Sequence, residues 1–131
     1  MSSIAMAAPI LPGKEGQWRQ FMSEIQGPRY DEFKASRERV GVHERSYLEH
    51  TPQGDIVIIT LDGDDPLSSF QKMASDQSPF MNWFIQQVKE IHGFDMRAAL
   101  PGGPPEMVMD SRDRHGMVTY PKSEQGRREA A

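Results

Sequence analysis

Two kinds of hydrophobic spacing alternate along this chain. Trp18, Phe21, Met22 and Ile25 fall at i, i+3, i+4 and i+7, one stripe of a helix that starts near Gly13. Gly27-Pro28 interrupts it, because proline cannot donate to the helical ladder and restricts the residue before it. A second helical piece is predicted over about 29–40, with Tyr30, Phe33, Arg37 and Val40 on one side and Gly41 as its C-terminal cap. The spacing then changes to period two. Residues 42–51 and 54–62 read as a β-hairpin, turned by Thr51-Pro52-Gln53-Gly54-Asp55. Ile56-Val57-Ile58-Ile59-Thr60-Leu61 is apolar on both sides, which predicts a central strand covered on both faces.

Helical spacing returns after Asp62-Gly63-Asp64-Asp65-Pro66. Asp64 or Asp65 is placed to cap a short helix to about residue 75, with Pro66 at its first position. Ser78-Pro79 starts another, in which Phe80, Trp83, Phe84, Val88 and Ile91 form a strong stripe ending at His92-Gly93. Two further strands are predicted, one at 3–11, before the first helix, and one at Glu106-Met107-Val108-Met109-Asp110, beyond an irregular Pro- and Gly-rich crossover at 95–105. The order is strand, helix, strand, strand, helix, strand. Residues 1–113 are expected to form one domain, and 114–131, which lack periodicity, a loose tail.

Composition narrows the function classes. The net charge of −4 gives no basic excess to neutralise phosphates, so no nucleic-acid partner is expected. The chain has no cysteine, which excludes disulfides, thiolate metal sites and cysteine nucleophiles and fits a reducing cytoplasm. The N-terminal stretch lacks a basic region ahead of its apolar run, so a signal peptide is not expected. No apolar run approaches ~18 residues, and no membrane span is expected.

The βαββαβ order resembles the ferredoxin-like fold, an α+β arrangement of a four-stranded antiparallel sheet with two helices on one face. The Gly27-Pro28 break, the Thr51–Asp55 turn, Asp62-Gly63-Asp64-Asp65-Pro66, Ser78-Pro79-Phe80, Trp83-Phe84 and His92-Gly93 together resemble a bacterial family of the dimeric α/β-barrel superfamily, over about residues 4–110. That resemblance implies a homodimer in which two sheets pack face to face. An apolar sheet face left open in a monomer would be a large exposed patch, and a two-fold partner would cover it. Members of the superfamily include cofactor-independent monooxygenases, cyclases, isomerases, haem enzymes and effector-binding domains, so the fold by itself selects no activity.

The chemistry-bearing residues cluster on the first strand of the hairpin. His43, Arg45, Tyr47 and Glu49 share one face there, with Val42, Glu44, Ser46 and Leu48 on the other. A group titrating near neutrality, a fixed cation and a phenol could bind and deprotonate a phenolic or enolic substrate, with His43 as base and Arg45 holding the anion. His43, Arg45 and Tyr47 are therefore the candidate catalytic residues, and Glu49, Arg37, His92 and Trp83 the candidate ligand-binding ones. In the opposite register Glu44 would be the inward carboxylate. Solvated cross-strand ion pairs are the plainer explanation of the strand face, and surface pairing with Asp31, Glu32 or Glu38 that of Arg37. A histidine at a helix C-terminus explains His92. His50 is expected near the hairpin turn and exposed, and His115 in the tail. Asp62, Asp64 and Asp65 lack the spacing of a calcium loop, the histidines lack zinc spacing, and the glycines form no phosphate loop, so no metal or cofactor is expected. The expected function is binding of a small, partly apolar organic molecule, with metal-free acid–base or monooxygenase-type chemistry. The alternatives are a non-catalytic ligand-sensing or accessory module, and haem binding through His43 or His92.

Overall fold

The structure is a computed structural model, and it describes residues 2–98 and 103–112. Seven elements follow in order: β1 (Ser2–Pro9), α1 (Glu15–Gln26), α2 (Tyr30–Val40), β2 (Val42–Thr51), β3 (Gly54–Gly63), α3 (Pro66–Ser75) and α4 (Pro79–His92). The strands form an antiparallel sheet in the order β1-β3-β2, and with the helices they make an α+β fold. The element order is compatible with a ferredoxin-like fold, but the sheet has three strands among the described residues. The strand predicted at 106–110 is not there. Residues 103–109 take no regular structure and are all exposed. Membership of a sheet is a long-range contact, and Met107, Val108 and Met109 are left exposed within the single chain. The tail predicted at 114–131, with His115, lies outside the described residues.

Local chemistry explains where each helix starts and stops. Between α1 and α2 the chain turns at Gly27, where a Cβ would lie 2.8 Å from the Ser23 carbonyl oxygen. The Asp65 carboxylate accepts the Ser68 amide at 3.1 Å and caps α3. The Ser78 hydroxyl accepts the Met81 amide at 3.2 Å and caps α4. Both helices carry proline in their first turn, as the sequence predicts. Gly41 and Gly93 end α2 and α4 in the left-handed region, at φ 74° and 79°.

The helices cover one face of the sheet. Ile4, Met6 and Ala8 of β1 register with Leu61, Ile59 and Val57 of β3, and these with Glu44, Ser46 and Leu48 of β2. That is the inner face, and the core lies between it and the helices. Phe21 packs on Phe84 and Trp83 with ring centroids 5.1 and 5.3 Å apart, joining α1 to α4. Leu61, Met81 and Ile91 are almost wholly buried. On the outer face Ile56 and Ile58 are only half-buried. The prediction of a strand covered on both faces therefore holds for one face of β3 in a single chain. Among the described residues, no helix is long and apolar enough to cross a membrane.

Candidate functional site

A cavity of about 620 Å³ lies between the inner sheet face and the helices. Met6, Ile59 and Leu61 form its floor, with Phe21, Phe84 and Val88 opposite. This volume is within the usual range for small-molecule sites, roughly 300–1,000 Å³, and the walls are mostly apolar as such sites require. Five polar side chains interrupt the lining: Gln26, Arg37, Glu44, Ser46 and His92.

Arg37 is only 4% exposed, and its position follows from one turn of chain. Phe33, Ser36 and Arg37 share the inner side of α2. Gly41 then reverses the chain directly into β2, so Glu44 returns alongside Arg37 seven residues on. Gly63 permits the close fit, since a Cβ there would run into the Gly41 carbonyl oxygen. Arg37 Nε donates to Glu44 Oε1 at 2.7 Å, and Nη1 to Ser36 Oγ at 2.9 Å. The Ser36 hydroxyl in turn donates to the Phe33 carbonyl. The guanidinium lies 4.6 Å from the Phe33 ring centre and 4.5 Å from that of Phe84. An ion pair, a hydroxyl and two aromatic faces thus hold one cation in place.

His92 is the last residue of α4 and is 8% exposed. Its Nδ1 lies 2.8 Å from the Pro9 carbonyl oxygen. A carbonyl only accepts, so Nδ1 carries the proton in that bond and Nε2 of the neutral ring carries the lone pair. Burial pushes the imidazole pKa down, with the Pro9 bond opposing in part, so the ring is neutral near pH 7. Met81, whose Sδ is 3.5 Å from Arg37 Nη1, and His92 are eleven positions apart on α4. At 1.5 Å per residue that is roughly 16 Å. The charged pair and the neutral imidazole therefore stand at opposite ends of one apolar cavity.

His43, Arg45, Tyr47 and Glu49 share one face, as the alternation predicts, and it is the outer face of the sheet. None of them lines the cavity. Their register partners on β3 are Asp62, Thr60, Ile58 and Ile56, and beyond those Ser3, Ala5, Ala7 and Pro9 on β1. Arg45 Nη2 meets Asp62 Oδ2 at 2.8 Å. Hydrogen bonding from Ser3, then from Arg45 together with its charge, holds the Asp62 carboxyl below the usual range against the opposing effect of burial. Tyr47 is 52% exposed. Trp83 also stands outside the cavity, beneath the Arg29 guanidinium at 4.0 Å. His50 pairs with Asp55 at 2.7 Å beside the hairpin turn and is exposed, as predicted.

Of the residues singled out from the sequence, Arg37 and His92 come together on one cavity. Glu44 completes that set. A signal for it was present: Val42 and Leu48 flank it at period two, and apolar neighbours mark the face turned to the core. Ser46, on the same face, follows from the same rule. No protein-family model matches this chain, and no curated protein matches it either.

Proposed function

We propose that this chain binds a small, mostly apolar organic molecule between its sheet and its helices, as a homodimer of the ferredoxin-like, dimeric α/β-barrel kind. The observation that carries this reading is the apolar cavity with a buried Arg37–Glu44 pair at one end and neutral His92 at the other. A cavity walled only by apolar groups would fit structural slack. Buried polar groups are costly unless they are paired, and those on this wall restrict what can enter and how it lies. Arg37 offers N–H donors to an anionic or carbonyl oxygen. His92 Nε2 offers a lone pair to a hydroxyl or an acidic C–H. If the bound molecule reacts, His92 is the group placed to take a proton, in metal-free acid–base chemistry. A chain without cysteine suits a reducing compartment such as the cytoplasm.

The test is native mass spectrometry of freshly purified protein, followed by Ile59→Trp, which fills the cavity floor. A reproducible added mass that disappears in Ile59→Trp, in a protein that still unfolds cooperatively, is the expected result. An adduct retained by that variant would place the ligand elsewhere.

The homodimer rests on the outer face. Ile56, Ile58, Ala5, Ala7 and Tyr47 make an apolar area there, and a two-fold copy would cover it. His43, Arg45, Tyr47 and Glu49 would then be enclosed, and a second site at that interface is the reading under which His43 acts as a base. Size-exclusion chromatography with light scattering is expected to give a dimer, and Ile58→Asp a monomer. Loss of turnover in His43→Ala with the dimer intact would move the chemistry from the cavity to the interface.

A further inference from the structure

We propose that residues 106–110 of one copy of this chain add as a strand to the outer edge of β1 in a second copy. The inference rests on self-association of the chain and not on the cavity. Among the described residues, β1 is the last strand on its side of the sheet. Ile10 N–H bonds the Asp55 carbonyl, so by the alternation of an antiparallel ladder Ile4, Met6 and Ala8 bond to β3. Ser3, Ala5 and Ala7 then present their N–H and C=O groups outward, with no strand beyond them among the described residues.

Edges of this kind are usually blunted by charge, by proline or by a bulge, because they template pairing with another chain. β1 carries no charged residue, and its only proline, Pro9, is its last position. The sequence of β1 itself therefore leaves this edge without such protection over most of its length.

The chain also carries an unplaced strand-like segment. Met107, Val108 and Met109 are 46%, 59% and 75% exposed, three consecutive large apolar side chains in solvent. Within a single chain the segment lies off its own sheet, although only the crossover separates it from α4. Arg97 pins the start of that crossover, donating to the carbonyls of Ala74 and Asp76 and to Asn82 Oδ1 at 3.0, 2.9 and 2.7 Å. Nine residues then lead to Glu106, enough to span about 30 Å when extended. Pro104-Pro105 stiffens the approach and favours an extended chain. The reach, the exposed apolar run and the open edge make a second copy the natural acceptor. Strand addition satisfies the outward backbone groups and buries the methionines together.

The chain has no cysteine of its own, so introduced cysteines report pairing cleanly. Chains bearing Val108→Cys or Met109→Cys are mixed, under mild oxidation, with a differently tagged chain bearing Ala5→Cys or Met6→Cys. Adjacent positions sample both faces of each strand. A covalent heterodimer in at least one mixture is expected. Amide exchange provides the second measurement: Ser3, Ala5 and Ala7 are expected to be protected in the assembled protein and to exchange at least tenfold faster in Val108→Pro. Failure of all four mixtures would overturn the proposal. So would an internal cross-link alone in the doubly substituted chain, which would put the strand on its own edge. If light scattering still gives a dimer in that event, the face-to-face assembly survives and only the strand exchange is lost.

Discussion

Glu44 and Arg45 are neighbours in sequence, and each joins an ion pair of almost the same length. Glu44 meets Arg37 at 2.7 Å, and Arg45 meets Asp62 at 2.8 Å. They differ in what surrounds them. The side chains of the first pair are 5% and 11% exposed, whereas Arg45 is half in water. The pleat sends one residue to the core face and the next to the outer face. Distance alone says nothing about what such a pair contributes. In water the Coulomb attraction is small and ordering two long side chains offsets most of it. In the core each charge has lost its hydration, so either partner left alone is costly.

The sharpest way to break that comparison is to remove one partner of each pair. Arg37→Ala is expected to destabilise the fold by about 3–5 kcal/mol in urea unfolding, because it strands the Glu44 carboxylate. Replacing both charges, with Arg37→Met and Glu44→Leu together, is expected to be close to neutral or stabilising. A double variant as unstable as Arg37→Ala would mean that the cation's packing between Phe33 and Phe84 matters more than the charge. The same contrast applies to apolar residues on the two faces of β3. Leu61→Ala is expected to cost about 2–5 kcal/mol. Ile58→Ala should cost clearly less in a dilute monomer, and equal losses would show that the outer face is covered even there.

His92 sharpens the comparison through pH. Its folded pKa is lowered from the usual value of 6.5, so between the folded value and 6.5 the unfolded chain binds a proton that the native one does not. Stability therefore rises with pH through that window. The contribution is complete above 6.5 and is lost as pH falls toward the folded value. His92→Gln is expected to flatten the slope of unfolding free energy as pH falls below 6.5. The carboxylates held low by their partners, Asp55, Asp62, Asp76 and Glu90, act in a separate window, since their contribution is lost only in acid below their usual pKa. The smallest effect belongs to the outer pair. In a dilute monomer Arg45→Ala is expected to change stability by no more than about 1 kcal/mol and to lose even that in high salt. A larger loss at higher protein concentration would indicate that Arg45 is buried by a partner.

The helix stripes and caps were legible because their causes are local. Asp65, Ser78, Gly41 and Gly93 act within a few residues of themselves, and each stands where turn chemistry puts it. The hairpin was legible for the same reason. The last strand was not, because membership of a sheet is a long-range contact and Glu106–Asp110 carries no local signal that distinguishes a paired strand from an exposed one. The first choice of site from the sequence favoured His43, Arg45 and Tyr47 because their chemistry is conspicuous. Val42 and Leu48 already indicated that the other face meets the core.

The sequence by itself determined which residues share a face, where helices begin and end, and that this chain builds an α+β unit without cysteine chemistry. Only the tertiary structure decided that Arg37, Glu44 and His92, from three separate elements, meet one cavity. Periodicity fixes side chains relative to their own backbone. Which residues of different elements meet is set by packing across the whole chain, and no single segment carries that information.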